Sequence, residues 1–428
     1  MPGLVRESDE FIDLFDHRRT QALNETARRW RRESPVTRIA PDSHYVARWH
    51  DCWAVLRDAE TFANGNGFKA VELPDDERML IEMDPPLHPP LRRVVRTAFA
   101  RKSVEAERPF ARASAARLLD ALVAQAAGAA QGASGRRAER RPEGGDAASD
   151  AGIELVESFT DRIANLVNFH LMGFPTEDTP RIVAWAREIL HSEWTALNRT
   201  EKGEGIAGAF PEFARYVDDL VDSRSKASSP DDLIARLVGS EVLGRPLSRT
   251  MLRTLVSQII LGGISTSTNL LGSMLHRLLT TPGLHARLRA EPALVPAAVE
   301  ESLRLDPPVL FVRRVCRRDT ELAGTKLAQG ETVIVGIASA NRDEAVFEDA
   351  DAFRLDRGLP RHIAFAGGAH LCSGAALARL VACETISAYV ARFEEGELEL
   401  VPGFVYEGVP VFLEHGPKRL DVRLRPSR

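Results

Sequence analysis

The chain lacks several features that would each point to a different kind of protein. It has only four cysteines in 428 residues, Cys52, Cys316, Cys372 and Cys383. None stands at a Cys-x-x-Cys spacing from another, which excludes the common paired-cysteine metal sites and leaves reduced thiols as the simplest account. No uninterrupted apolar run is long enough to cross a membrane, and residues 1–10 read as neither signal nor anchor. A soluble, cytoplasmic protein without a membrane anchor is therefore expected. Aromatic residues make up 6% of the chain, the net charge is −5, and no basic stripe is interleaved with aromatics, so nucleic acid is not an expected partner. There is no internal repeat. What is plentiful is apolar and charged residue in ordinary proportion, 44% and 27%, enough to bury a large core. Length alone would suggest two or three domains.

One stretch, 124–152, is poor in large apolar residues and rich in Gly, Ala and charge, including Arg136, Arg137, Arg140 and Arg141. It reads as a disordered surface insertion, because it cannot bury enough apolar area to offset the entropy of ordering.

The most informative segment is 365–374, Phe-Ala-Gly-Gly-Ala-His-Leu-Cys-Ser-Gly, followed at once by a helix-like run from Ala375. A thiolate is a strong, soft metal donor and keeps its charge best where backbone N–H groups and a helix N-terminus point at the sulfur. Gly367, Gly368 and Gly374 would let the backbone adopt positive φ and let a flat cofactor lie against the loop. Taken alone, Cys372 could equally be a buried cysteine before a helix. Glu301 and Arg304, three residues apart, share a helix face and could be an ordinary surface pair. In 255–270, Gly262-Gly263 interrupts an apolar helical run just before Ser265 and Thr266. Such a pair costs helix stability and calls for a reason, such as a kink or a closely approaching ligand, although a small-residue packing seam is an alternative. Between these motifs, 313–324 and 330–343 carry β-branched residues bounded by glycine and predict short strands.

Taken together these segments resemble the cytochrome P-450 family, bacterial-type soluble haem-thiolate monooxygenases. Phe365, Gly368, His370, Cys372 and Gly374 match the family's ligand loop, with Ala366 standing where glycine is usual. The resemblance implies one catalytic domain over residues 1–428, mainly α with a small β region, its large helical body built around a buried haem. It implies Cys372 as ligand to the iron of haem b, and Arg314, His88, Arg92, His362 and His370 as propionate partners, since charge-assisted pairing suits carboxylates. Glu301, Arg304 and Arg357 would form a buried network supporting the cysteine loop.

On the oxygen side, Gly262 and Gly263 would open the helix, and Thr266 would hydrogen-bond bound oxygen and relay protons. Ser265 replaces the family's carboxylate. A serine can pass a proton but cannot store a charge, so slower or rerouted proton delivery is expected. Val71, Leu197, Ile260, Ile264, Val309, Leu310, Phe311, Val411 and Phe412 would line an apolar substrate pocket.

The activity implied is activation of O₂ to oxidise, in the first place hydroxylate, a hydrophobic small molecule in specialised metabolism or catabolism. Electrons would come from NAD(P)H through a reductase and a ferredoxin or flavodoxin-type donor, attracted by Arg93, Arg96, Arg101 and Lys102. Peroxide-driven or non-hydroxylating oxidation such as coupling or desaturation, and a non-catalytic haem ligand-binding role, are the alternatives.

Overall fold

The computed structural model describes residue 16 and residues 23–425, except 66, 68, 70, 138–151, 227–231 and 359. The architecture follows from one element, the 32-residue helix Arg249–Thr280, which starts where the Ser248 side chain accepts the N–H of Met251. Its first half contributes Met251, Leu252, Leu255, Val256, Ile260, Leu261 and Ile264 to one apolar core, shared with Phe169, Ile182, Phe213 and Val217. Its second half contributes Leu270, Leu271, Met274, Leu275 and Leu278 to another, shared with Leu119, Phe159, Ile163, Leu303, Val381 and Tyr389. Covered by neighbours at both ends, this central helix is apolar on most faces there. Only its middle is a run of small and polar residues, and the candidate site lies at that seam.

Helices Arg108–Arg137, Asp161–Met172, Val295–Leu305 and Ala375–Arg392 pack around the second half. A five-stranded sheet stands beside them in the order Val36–Ala40, Ser43–Val46, Thr332–Val335, Val312–Cys316, Phe62–Ala63. The sequence of Thr332–Val335 is β-branched throughout, and all four residues are buried at the centre of that sheet. The expected strands are thus present. Between them, Thr320–Leu322 and Thr325–Leu327 form a hairpin turned by Ala323 and Gly324, both at positive φ. A three-stranded sheet of Leu398–Leu400, Asp421–Leu424 and Ile153–Glu154 contributes Leu398, Val422 and Ile153 to the core around the second half of the central helix.

The fold class is as expected, helical with a small β content. Helix Arg108–Arg137 runs through the first half of the stretch 124–152. Its alanines favour helix strongly enough to continue the preceding turn pattern. Residues 138–151 lie outside the described residues. Among the described residues, no helix is long and apolar enough to cross a membrane.

Candidate functional site

Cys372 sits just before helix Ala375–Arg392, and its own N–H donates to the Phe365 carbonyl at 3.0 Å, pinching the loop closed. The side chain is solvent-accessible, yet the surrounding protein partly desolvates it. Burial pushes the thiol up, while the N–H groups of Gly374 and Ala375 and the charges of Arg92 and Arg379 pull it down.

The loop's glycines do different jobs, and positive φ is needed at only one of the three expected. Gly368 has φ +65°, and a Cβ there would lie 2.1 Å from the Leu56 carbonyl oxygen. Gly367 is extended, but a Cβ on it would meet the Trp53 ring at 2.4 Å. Gly374 has φ −82°, and a Cβ there would approach nothing nearer than Phe99 at 4.0 Å. Ala366, standing where glycine is usual, is not accommodated by an ordinary φ. It adopts φ +57°, so the chain keeps a left-handed turn and bears the steric cost of a Cβ.

Beside the loop lies a cluster of nitrogen bases. His88 opens helix His88–Ala98 and stacks on His370 with ring centroids 3.9 Å apart. Asn64 bonds His370 Nδ1 at 3.0 Å, while Nε2 of both rings is buried without a hydrogen-bond partner. Burial and the Arg92 charge hold His88 down at about 4; burial, His88, Arg314 and Arg92 hold His370 at about 2. Arg314 is itself lowered by burial to about 10, with Asp84 opposing. Arg92 turns toward the cysteine loop, donating to the Leu371 carbonyl and the Ser373 hydroxyl. Such a gathering of buried bases suits an anionic group. His362 is engaged differently. Ala364 N–H donates to its Nδ1 at 3.2 Å, and its Nε2 meets Glu300 at 3.0 Å.

Two ion-pair networks stand under the loop. Arg304 is wholly buried and uses all five N–H groups, two on Glu301 at 2.8 and 2.7 Å and three on the carbonyls of Asn341, Ala350 and Ala352. Arg357 Nε also donates to Glu301, at 2.9 Å. The expected trio is therefore brought together. The second network, which the sequence reading missed, joins Glu300 to His362 and to Arg379, whose guanidinium lies 4.5 Å from the Phe365 ring centroid.

At the seam of the central helix, Thr266 Oγ1 donates to the Gly262 carbonyl at 2.9 Å, and Asn168 Nδ2 donates to the Gly263 carbonyl at 2.7 Å. A Cβ on Gly262 would meet nothing within 4 Å, so the helix has an open flank there. Ser265 is not without a carboxylate after all. Its hydroxyl donates to Glu414 Oε1 at 2.6 Å, and Asn269 Nδ2 donates to Oε2 at 2.9 Å. Glu414 lies 149 residues downstream, where no spacing rule pointed to it.

A family model for cytochrome P450 matches residues 183–395. The chain is 31% identical over 357 residues to a mycinamicin IV hydroxylase/epoxidase of Micromonospora griseorubida, covering 81% of this chain and 82% of that one. It belongs to the cytochrome P450 family. A polyketide biosynthesis cytochrome P450 of Bacillus subtilis, PksS, is 29% identical over 415 residues, 92% of this chain and 94% of the relative. The ligand-free structure of cytochrome P450 TbtJ1 superposes with a TM-score of 0.78 at 29% identity, over 97% of this chain and all of that one. As a P450 the protein is an oxidoreductase, a monooxygenase of a family whose cofactor is haem.

The pocket residues expected in this P450 divide into two groups. Ile260 and Ile264 are packed into the core beside the central helix, and Leu310 and Phe311 into another apolar cluster; all four are buried. Val71 is exposed, and Leu197, Val309, Val411 and Phe412 are half-buried.

Proposed function

We propose that this protein is a haem-thiolate monooxygenase in which Cys372 would supply the thiolate that holds the haem iron and the whole chain, 1–428, forms one catalytic domain. The observation that carries the reading is the Cys372 loop. A solvent-accessible thiol stands just before a helix, with two backbone N–H groups directed at it. The buried bases beside it fit the group as well. Arg314, His88 and His370, with Arg92 within reach, offer charge and uncommitted ring nitrogens to a pair of carboxylates, as the haem propionates require. His362, committed to Glu300 and Ala364, is left out of that set and acts as part of the support. Phe365, Gly368 and Gly374 would shape the surface that receives the haem.

Bound haem with a thiolate ligand supplies reductive activation of O₂. The protein's share is to exclude competing reactions, hold the substrate and deliver protons as electrons arrive. Gly262 and Gly263 open the central helix, and Thr266, adjoining that flank, orders the protons with a hydroxyl that both donates and accepts.

The substrate is a hydrophobic small molecule of specialised metabolism, bound against Val71, Leu197, Val309, Val411 and Phe412. The named roles of the relatives, a mycinamicin IV hydroxylase/epoxidase and a polyketide biosynthesis P450, support oxidation of a natural product. Electrons come from NAD(P)H through a ferredoxin or flavodoxin-type carrier in the cytoplasm. Arg93, Arg96, Arg101 and Lys102 are all exposed on helices His88–Ala98 and Arg101–Ala106, and Arg92 of the first helix touches the cysteine loop. An acidic carrier docking there is steered toward the cysteine side.

The test is the ferrous carbonyl spectrum. The wild-type protein gives the thiolate signature, and Cys372→His abolishes it while haem still binds. Cys52→Ser, Cys316→Ser and Cys383→Ser leave it intact. An unchanged spectrum in Cys372→His would overturn the assignment.

A further inference from the structure

Glu414 is a buried carboxylate with two hydrogen-bond donors and, among the described residues, no cation within ion-pair distance. A charge held that way is expensive, and buried acids without a cation are uncommon outside sites that use them. Its placement is rigid. Val309 and Glu414 form an antiparallel bridge, Leu310 N–H donates to the Leu413 carbonyl at 2.8 Å, and His415 N–H donates to the Pro308 carbonyl at 2.9 Å.

The segment 414–417 is pressed onto one face of the central helix. Glu414 meets Ser265 and Asn269; a Cβ on Gly416 would stand 2.7 Å from Asn269; and one on Gly272 would stand 2.8 Å from Pro417. Positions 265, 269 and 272 repeat at four and three residues, so they lie on one stripe. The carboxyl is thereby presented to the residue just before Thr266, although the helix itself carries no acid there.

We propose that Glu414 is the proton-holding acid of this P450, acting through Ser265 as a positioning residue for delivery to Thr266. The inference rests on the reading of Thr266 given above. When Glu414 is protonated on Oε1, the Ser265 hydroxyl turns from donating to accepting there, takes that proton on Oγ, and releases its own hydroxyl proton toward the flank opened at Gly262. The Glu414 carboxylate then recovers a proton from solvent. No bond between heavy atoms changes, and no oxidant is consumed in the transfer.

The electrostatics agree. Burial pushes the Glu414 carboxyl up, and the hydrogen bonds from Ser265 and Asn269 only partly oppose it. The groups facing it from the helix are the neutral Ser265 and Asn269; the neighbouring His415 couples to Asp306, Arg342 and Arg277 instead. A protonated carboxyl therefore persists to higher pH than that of an ordinary glutamate.

Two measurements test this, and the first needs no turnover. Infrared difference spectra of wild type against Glu414→Gln, taken across pH above the ordinary glutamate range, are expected to show a protonated carboxyl band that shifts in Ser265→Ala. Absence of the band would overturn the proposal even if the protein is a fully competent P450. The second uses O₂ alone as the probe, with a surrogate ferredoxin and reductase, and reads peroxide released per reduced nicotinamide consumed. Glu414→Gln and Ser265→Ala are expected to raise that ratio several-fold, and the Ser265→Asp, Glu414→Gln double variant to restore it by returning a carboxyl to the helix. An unchanged ratio, or a rise that aspartate does not rescue, would make Glu414 merely structural and sink the proposal. The ferrous carbonyl spectrum of each variant separates these outcomes from failure of the haem-thiolate assignment itself.

Discussion

Replacing Arg304 by lysine keeps the charge and most of the volume, so it isolates the geometry of the guanidinium. Arginine presents five N–H donors in a fixed fork, and here all five are used, on Glu301 and on the carbonyls of Asn341, Ala350 and Ala352. An ammonium has three donors, so at least two of these acceptors lose their partner in a place with no access to water. Each buried polar group left unsatisfied costs about 1–3 kcal/mol, which puts Arg304→Lys at about 2–6 kcal/mol. Arg304→Met goes further, because it also strips the Glu301 charge of its main partner, and breaking a buried pair from one side costs about 3–5 kcal/mol. Against a typical total stability of about 5–15 kcal/mol, the lysine variant folds with a lowered denaturation midpoint and the methionine variant barely folds. Far-UV circular dichroism through a guanidinium titration measures the midpoint, and haem absorbance per protein reports the loop that the network carries. Adding Glu301→Gln to Arg304→Met removes the stranded charge and should recover part of the loss. A midpoint for Arg304→Lys equal to wild type would refute the reasoning, since it would mean that the buried fork contributes nothing that a point charge cannot replace.

Two changes in the cysteine loop should act in opposite directions. Gly368→Ala puts a Cβ 2.1 Å from a backbone oxygen at φ +65°, so helical content survives while haem loading collapses, whereas Ala366→Gly relieves a left-handed alanine and raises stability by up to about 1 kcal/mol in the same denaturation assay. At Glu300, burial pushes the carboxyl up, but the hydrogen bonds from His362 and Arg379 prevail and hold it at about 2. Because its folded value lies below its unfolded one, the stability it contributes is present above about pH 4.3 and is lost as pH falls through about 2. Unfolding curves of wild type and Glu300→Gln should therefore differ at neutral pH and converge in acid; a gap of constant size down to the lowest pH would contradict the assignment.

The candidate site was legible wherever its chemistry is local in the chain. The ligand loop, the Glu301-Arg304 spacing, the glycine pair before Ser265-Thr266 and the histidine four residues before Arg92 are each short patterns, because each is held on one turn or one helix. The small sheet was legible for the same reason, through β-branched runs closed by glycine.

Harder to read were features that depend on where a residue's neighbours come from. Ile260, Ile264, Leu310 and Phe311 are apolar in the manner of pocket residues, yet only the packing of other elements decides whether an apolar side chain faces a cavity or a core. His362 resembles a propionate partner in sequence, and Glu300 on another helix claims it. Ala366 shows that tertiary contacts can hold a residue in a conformation its own sterics oppose.

Glu414 is the sharpest case. The sequence by itself determined the family, pointed to Cys372 as the candidate ligand, and showed the absence of an acid beside Thr266. Only the tertiary structure, by laying a distant segment along the stripe of Ser265 and Asn269, decided that a carboxylate stands there all the same. Chain order records what a helix carries, whereas the proton available to a buried hydroxyl depends on whatever the fold brings within about 3 Å of it.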